Sequence, residues 1–419
     1  MNDLKQRQEQ LSMLLKLGVA QLGAGHLTSA TVADVERAAT ACGLGQLTVL
    51  STASTLAIEH APPTQPVLGR VARVTQIDVI NCEQLRKLAQ VSRSIRSGRV
   101  DVGEADRQID AATALSTPWW WSTIGATAVA FFVTLQVGVS PFVAMLAAIL
   151  HALVTVLGAG VARLDFPRLF KFAVQAFFGG AIALVFVSAG VLTGNAAAAC
   201  VAVSWAMLVP LPLVLGIAVD ATSGEYQSAL VRAVGIVVAV GGIAIGAMVA
   251  TVLARSLPDI ATTSVDLPIV PPLLAVLFCT LGAMANAFAN SGGARLLVPA
   301  AIAGAVTGLC NQTLQHVVGV PSLWAGALSA ALLGFLAVPC AKRAGYPAAV
   351  LALMGITGAL LPGLTVYQGI VNAMDGNASR GYFEHTALVV TGLGIGSALG
   401  FLLASYTGRH GRWARQPGD

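Results

Sequence analysis

Leu208 to Gly224, LVPLPLVLGIAVDATSG, and Leu360 to Gly376, LLPGLTVYQGIVNAMDG, are two versions of one pattern. Setting Pro210 on Pro362 places Val219-Asp220-Ala221 on Val371-Asn372-Ala373 and Gly224 on Gly376. Each copy lies in an apolar run long enough to cross a bilayer. Proline lacks an N–H and crowds the carbonyl four residues back, so inside such a run it frees backbone groups that hydrocarbon cannot satisfy. Corresponding breaks in two halves of a chain point to a transporter binding site near the membrane midplane. Proline and glycine are common in membrane helices; the shared Asp/Asn position and the shared glycine are what mark a duplication.

Hydrophobic residues make up 56% of the 419 and charged residues 10%, with a mean hydropathy of +0.77. A soluble domain carries nearer ~25% charge. The composition therefore predicts an all-α polytopic membrane protein and excludes an ordinary soluble enzyme. The net charge of +5 is no sign of nucleic-acid binding, because the 24 Lys and Arg fall evenly before and after Pro118. Cys42, Cys82, Cys200, Cys279, Cys310 and Cys340 form no CxxC and have no histidine at metal-ligand spacing. They read as small buried apolar residues, with no metal or cofactor expected. No cleavable signal peptide is visible in the first 30 residues, so the N-terminus is expected in the cytoplasm.

Residues 1–115 differ in kind, with eleven acidic and twelve basic residues, and are expected to form a small soluble α/β domain. Leu11, Leu14, Leu15, Val19 and Leu22 recur at helical spacing; Thr31 to Cys42 makes a second helix stopped by Gly43. Leu47–Thr52, Thr55–His60 and Val67–Val74 read as strands, with Pro62-Pro63 turning the last two, and Cys82–Ile95 returns to helix. His26, His60, Glu59 and Asp78 make a catalytic group only on paper, since nothing local sets a nucleophile beside a base.

From Trp119-Trp120-Trp121, an interfacial aromatic anchor, apolar runs of roughly 20 residues each predict ten spans. Five fall in residues 116–258 and five in 259–419. Arg163, Arg168, Lys171, Arg232, Arg295, Lys342, Arg343, Arg409, Arg412 and Arg415 lie on one side of that arrangement; Arg255 and Arg380 lie on the other. The bias puts both termini inside a cell or inner membrane. An odd number of helices per half makes the two halves inverted repeats. Gly242/Gly246, Gly304/Gly308 and Gly392/Gly396/Gly400 offer small faces for close helix packing.

Ionisable groups inside spans are costly and so are functional candidates. Asp220, Glu225 and His151 are the candidates for proton or ion coupling; for each, an ordinary structural role is the competing reading. Thr365, Tyr367, Gln368 and Asn372 cluster on the second broken helix, with 365 and 368, and 368 and 372, on one face by i, i+3 and i, i+4 spacing. With Thr357, Asn286, Asn290 and Gln175 they are candidates for contact with a small zwitterionic, hydroxyl-bearing solute. Pro210, Pro212, Pro362 and Gly363 would shape the site.

Thr31…Gly43-Leu44-Gly45…Arg70-Val71…Arg73-Val74…Asn81 in the head, Pro210…Asp220…Gly224-Glu225-Tyr226, Phe288-Ala289-Asn290…Arg295, Tyr346-Pro347-Ala348 and Leu361-Pro362-Gly363 together resemble the threonine/serine exporter family. The resemblance covers nearly the whole chain. It implies export of threonine and serine from the cytoplasm, driven by the membrane potential or by proton antiport. Pro210-Leu211, where the family pattern has Pro-Gly, departs from it and leaves another small solute, such as a dicarboxylate, open. A passive channel is the alternative from another class. An embedded enzyme lacks support, as no HExxH, GxSxG or Walker A pattern occurs. Partners are then the solute, protons and lipid, with a homo-oligomer possible and no nucleic acid.

Overall fold

The computed structural model describes residues 2–63, 66–75, 77, 79–255, 268–359, 363–374 and 379–413; Asp78 and Pro362 lie outside them. The first 115 residues hold α1 (Asn2–Gly23), α2 (Thr28–Ala41), β1 (Leu47–Ser51), β2 (Thr55–His60), β3 (Leu68–Arg73), α3 (Cys82–Arg96) and α4 (Val102–Thr113). The strands form an antiparallel meander in the order β1-β2-β3. α3 and α4 start on the side-chain caps of Asn81 and Asp101, which accept from N–H groups that a helix leaves unpaired in its first turn. Helix α4 was not expected from the sequence; its acidic and basic residues hide the buried stripe of Ala105, Ile109 and Ala112.

The apolar part contains α5 (Trp119–Gln136), α6 (Pro141–Ala162), α7 (Arg168–Ser188), α8 (Gly194–Met207), α9 (Leu211–Thr222) and α10 (Tyr226–Arg255). After residues 256–267 come α11 (Pro272–Ala289), α12 (Ala294–His316), α13 (Ser322–Ala344), α14 (Ala348–Ala359), α15 (Gly363–Met374) and α16 (Arg380–Trp413). Among the described residues seven helices are long and apolar enough to cross a membrane, or eight if α8 and α9, bent by 47°, are one span. The sequence predicted ten. The difference lies in α5, diluted by three tryptophans and several threonines, and in α14 and α15, each only 12 residues long. Trp119 and Trp120 are exposed, whereas Trp121 turns inward onto Phe288 at 5.0 Å between ring centres.

The glycine faces are sites of close backbone approach. A Cβ on Gly242 or Gly246 of α10 would overlap the Leu169 or Ala173 carbonyl of α7. On α16, Gly396 and Gly400 stand in the same relation to the Ala327 and Ala331 carbonyls of α13. α5 packs on α11, α8 on α15 and α9 on α14.

The head is not a separately packed unit. Its core of Leu11, Leu14, Leu56, Leu85 and Ile109 runs on without a gap into Leu211, Leu215, Val219, Tyr346 and Val350 of the apolar part. Cys82, Cys200 and Cys279 are buried as expected of small apolar residues, but Cys42 and Cys310 are half-buried and Cys340 is exposed.

Candidate functional site

The break between α8 and α9 opens a cavity of about 420 Å³. Pro210 and Pro212 cannot donate to the carbonyls four residues back, and Val209 N turns to the Ala206 carbonyl at 3.1 Å instead. The chain from Ala206 to Pro212 lines the cavity at this break. The rest of the lining comes from α5, α6, α7, α11 with the turn after it, and α14. It carries His151, Lys171, Gln175, Asn286, Asn290 and Thr357, and no described lining residue is acidic. Val79 and Ile80 of the head close one rim, so the cavity lies on the head's side of the helices.

These polar groups are held in place by their neighbours. Gln175 Nε2 donates to the Val154 carbonyl at 3.2 Å, an approach made possible by Gly158, where a Cβ would overlap the Gln175 amide. Asn290 Nδ2 donates to Asn286 Oδ1 at 2.8 Å, and Thr357 Oγ1 to the Leu353 carbonyl at 2.9 Å. His151 is 4% exposed, and among the described residues its Nδ1 has no hydrogen-bond partner. A buried imidazole nitrogen without a partner is costly unless a ligand or water meets it.

On α7 the cavity lining stops at Gln175; the next carbonyl, of Ala176, accepts from Trp205 Nε1 at 2.9 Å. Trp205 is 2% exposed and packs against Tyr367 at 5.8 Å between ring centres. Beyond them a second recess of about 60 Å³ begins at Gly180. Trp205 and Tyr367 line this recess, and Gly180 lies about one and a half helical turns along α7 from Gln175 of the main cavity.

The sequence candidates divide accordingly. His151, Asn286, Asn290, Pro210 and Pro212 meet at the cavity, together with Gln175 and Thr357. Tyr367 borders the far recess. Elsewhere on α15, Thr365 Oγ1 lies 3.0 Å from Thr386 Oγ1 of α16, and Asn372 Nδ2 donates back to the Gln368 carbonyl at 2.8 Å. Gly363 begins α15, while Pro362 lies outside the described residues. Lys171, Thr155, Ser122 and Ser291 line the cavity without having been candidates. Lys171 was legible only as one more basic residue, although its i, i+4 relation to Gln175 puts both on one helix face.

Asp220 does not open onto this cavity. It is fully buried, and its Oδ2 accepts from Arg232 Nε at 2.9 Å. Its Oδ1 accepts from Thr28 N at 3.1 Å and Ser29 N at 3.4 Å, at the first turn of α2 in the head. Arg232 Nη2 reaches the His26 carbonyl at 3.2 Å. Glu225 lies nearby, with its carboxyl pushed above the usual range by burial and by the charges of Asp220 and Glu36. On the other half of the chain, Cys82 N donates to the Asn290 carbonyl at 3.0 Å. Tyr346 Oη donates to Glu83 Oε2 at 3.3 Å, and Arg86 pairs with the same carboxylate. Glu83 is thereby held below the usual carboxylate range, chiefly by Arg86. The head is thus fastened to both halves around the cavity rim.

His26, once a paper catalyst, belongs to this joint. Thr31 Oγ1 gives its proton to the Leu27 carbonyl and so accepts from His26 Nδ1 at 3.0 Å. Burial lowers the pKa of His26, and Arg232 and Arg37 add to this against Asp34 and Asp220. His60 instead contacts the Gln46 carbonyl at 3.1 Å. A histidine buried neutral favours the fold fully above its ordinary pKa of about 6.5, and loses that contribution as pH falls towards its lower folded value. The thermal midpoint should therefore drop between pH 7.5 and 5.5, and His26→Asn should flatten that part of the profile. An unchanged pH profile in the variant would contradict the assignment.

Two family models match the chain. One, described as a putative threonine/serine exporter, matches residues 12–254, and a second, described as threonine/serine exporter, ThrE, matches residues 275–406. No curated protein and no solved structure matches.

Proposed function

Because the chain belongs to the threonine/serine exporter family, we propose that the cavity at the α8/α9 break receives a small hydroxy amino acid from the cytoplasm for export. The observation that carries this is the lining itself, which combines a cation, neutral amide and hydroxyl groups, and the proline-broken segment from Ala206 to Pro212. Lys171 would receive the carboxylate, aided by the positive end of α9. The ammonium would sit on carbonyl and amide oxygens, and Thr357 and Gln175 would read the hydroxyl.

The helices would make ten spans as two inverted repeats of five, with α8/α9 and α14/α15 as the fourth members. Internal correspondence supports this reading. In each half the fifth helix turns paired glycines onto carbonyls of the third, α10 on α7 and α16 on α13. Exchanging the halves also turns the α8·α15 contact into α14·α9, and both occur. The membrane would be a plasma or inner membrane with the head and both termini cytoplasmic. The cavity then faces inward, with Trp205 and Tyr367 as the closed outer barrier of an alternating-access cycle.

Proton coupling is assigned to His151 rather than Asp220. His151 lines the cavity and has an unmatched Nδ1, whereas the charge of Asp220 is already balanced by Arg232. The basic lining also favours a second reading, a dicarboxylate, over any cationic solute.

Inside-out proteoliposomes should accumulate labelled threonine and serine under an imposed proton gradient, and an uncoupler should abolish the accumulation. In His151→Gln, downhill flux should persist while accumulation fails. Lys171→Gln should raise the half-saturating concentration about tenfold, the value of one charge-assisted hydrogen bond. Failure to accumulate either amino acid, in folded protein, would overturn the substrate; competition by a four-carbon dicarboxylate would favour the second reading.

A further inference from the structure

A further cavity lies outside the apolar part. It is a groove of about 770 Å³ in the head, between α3 and α4. Lys87, Arg93 and Arg99 line it from one side, with Gln90, Ser94 and Gln108 between them, and the remaining lining is apolar. From Gln84 to Val100 the sequence carries five basic residues and no acidic one. Arg86 is committed to Glu83, and Arg96 donates to the Ser92 carbonyl outside the groove. Lys87, Arg93 and Arg99 make no ion pair among the described residues. Of the acids of α4, Asp106 and Asp110 hold Lys16, while Glu104 pairs with Arg107 and accepts from Gln108 Nε2 at 2.8 Å without itself lining the groove.

Three cations sharing one groove repel one another, and a fold that keeps them together without a carboxylate is suited to an incoming anion. Arginine forks and amide or hydroxyl donors match phosphate oxygens, to which they give several charge-assisted bonds at once. A groove of this size suits a small molecule rather than a single inorganic ion. We propose that the α3/α4 groove binds a ligand carrying phosphate groups, apart from the transport cavity and independent of what that cavity carries. Since α3 begins at Cys82, whose N–H is bonded to Asn290 at the cavity rim, a ligand here would act on the joint between the head and the helices.

The full-length protein in phosphatidylcholine nanodiscs, titrated with inorganic pyrophosphate by calorimetry, tests this. Binding is expected, and Arg93→Gln and Arg99→Gln should each weaken it about tenfold or more. Arg96→Gln removes the same charge outside the groove and should leave binding within about twofold. No binding, or equal weakening by Arg96→Gln and Arg93→Gln, would overturn the proposal. Repeating the titration in nanodiscs containing phosphatidylglycerol separates the two sources of phosphate. Loss of pyrophosphate binding there identifies a lipid headgroup as the occupant; unchanged binding identifies a soluble ligand.

Discussion

Asp220→Asn is expected to lower the stability of the folded protein by about 3–5 kcal/mol, the usual cost of stranding one member of a buried ion pair. The Arg232 guanidinium is 3% exposed, so water cannot take the place of the lost carboxylate. Arg232→Met should cost a similar amount, because the buried Asp220 would lose its cationic partner and keep only the two N–H groups of α2. Asp220→Leu combined with Arg232→Met strands no charge and should cost less than the sum of the single changes, although the His26 carbonyl and Thr28 N would still lose partners. Thermal unfolding of the purified protein measures these costs. Proteolysis at the 114–118 link, faster in the single variants, would show the head loosening first. A coupled-proton carboxylate would behave in the opposite way: Asp220→Asn would fold normally and lose only gradient-driven accumulation. Normal stability together with that transport defect would overturn the structural role.

Asp220 also shows where sequence reading stopped. A carboxylate in an apolar run is costly, so it was rightly marked as exceptional, but its partners lie 12 residues away on α10 and about 190 residues away in the head. Neither separation leaves a periodic trace. The apolar runs and the break at Pro210 were legible because a helix and its interruption are local. Asn286, Asn290, Gln175 and Thr357 were legible as polar residues in apolar helices, though not as members of one cavity. On α15, Thr365 bonds a neighbouring helix and Asn372 its own backbone, partners that i, i+4 spacing alone does not reveal. That use of polar side chains in membrane helices is as common as substrate contact. Trp205 carried no signal at all: a tryptophan among alanines and valines reads as core, and its place between two cavities depends on how α7, α8 and α15 meet.

Trp205→Ala is expected to turn a closed barrier into a leak. The indole lines the recess at Gly180, and its Nε1 bonds the carbonyl of Ala176, next to Gln175 of the main cavity; in the proposed cycle it would stand across the path. Truncation removes a side chain that is almost fully buried and joins the two spaces, since helices tied by glycine contacts at Gly242 and Gly246 cannot collapse to refill the gap. Proteoliposomes carrying Trp205→Ala should pass threonine down its gradient at least tenfold faster than the parent, without response to the proton gradient. Accumulation should vanish because the solute escapes as fast as it is driven. Truncating a buried tryptophan costs about 3–5 kcal/mol, so Trp205→Phe is the companion variant. It keeps most of the bulk and loses only the hydrogen bond, and its leak should be small while some accumulation survives. A folded Trp205→Ala protein as tight as the parent would place the barrier elsewhere. A Trp205→Phe protein as leaky as Trp205→Ala would show that the hydrogen bond to Ala176, more than the ring, holds the path closed.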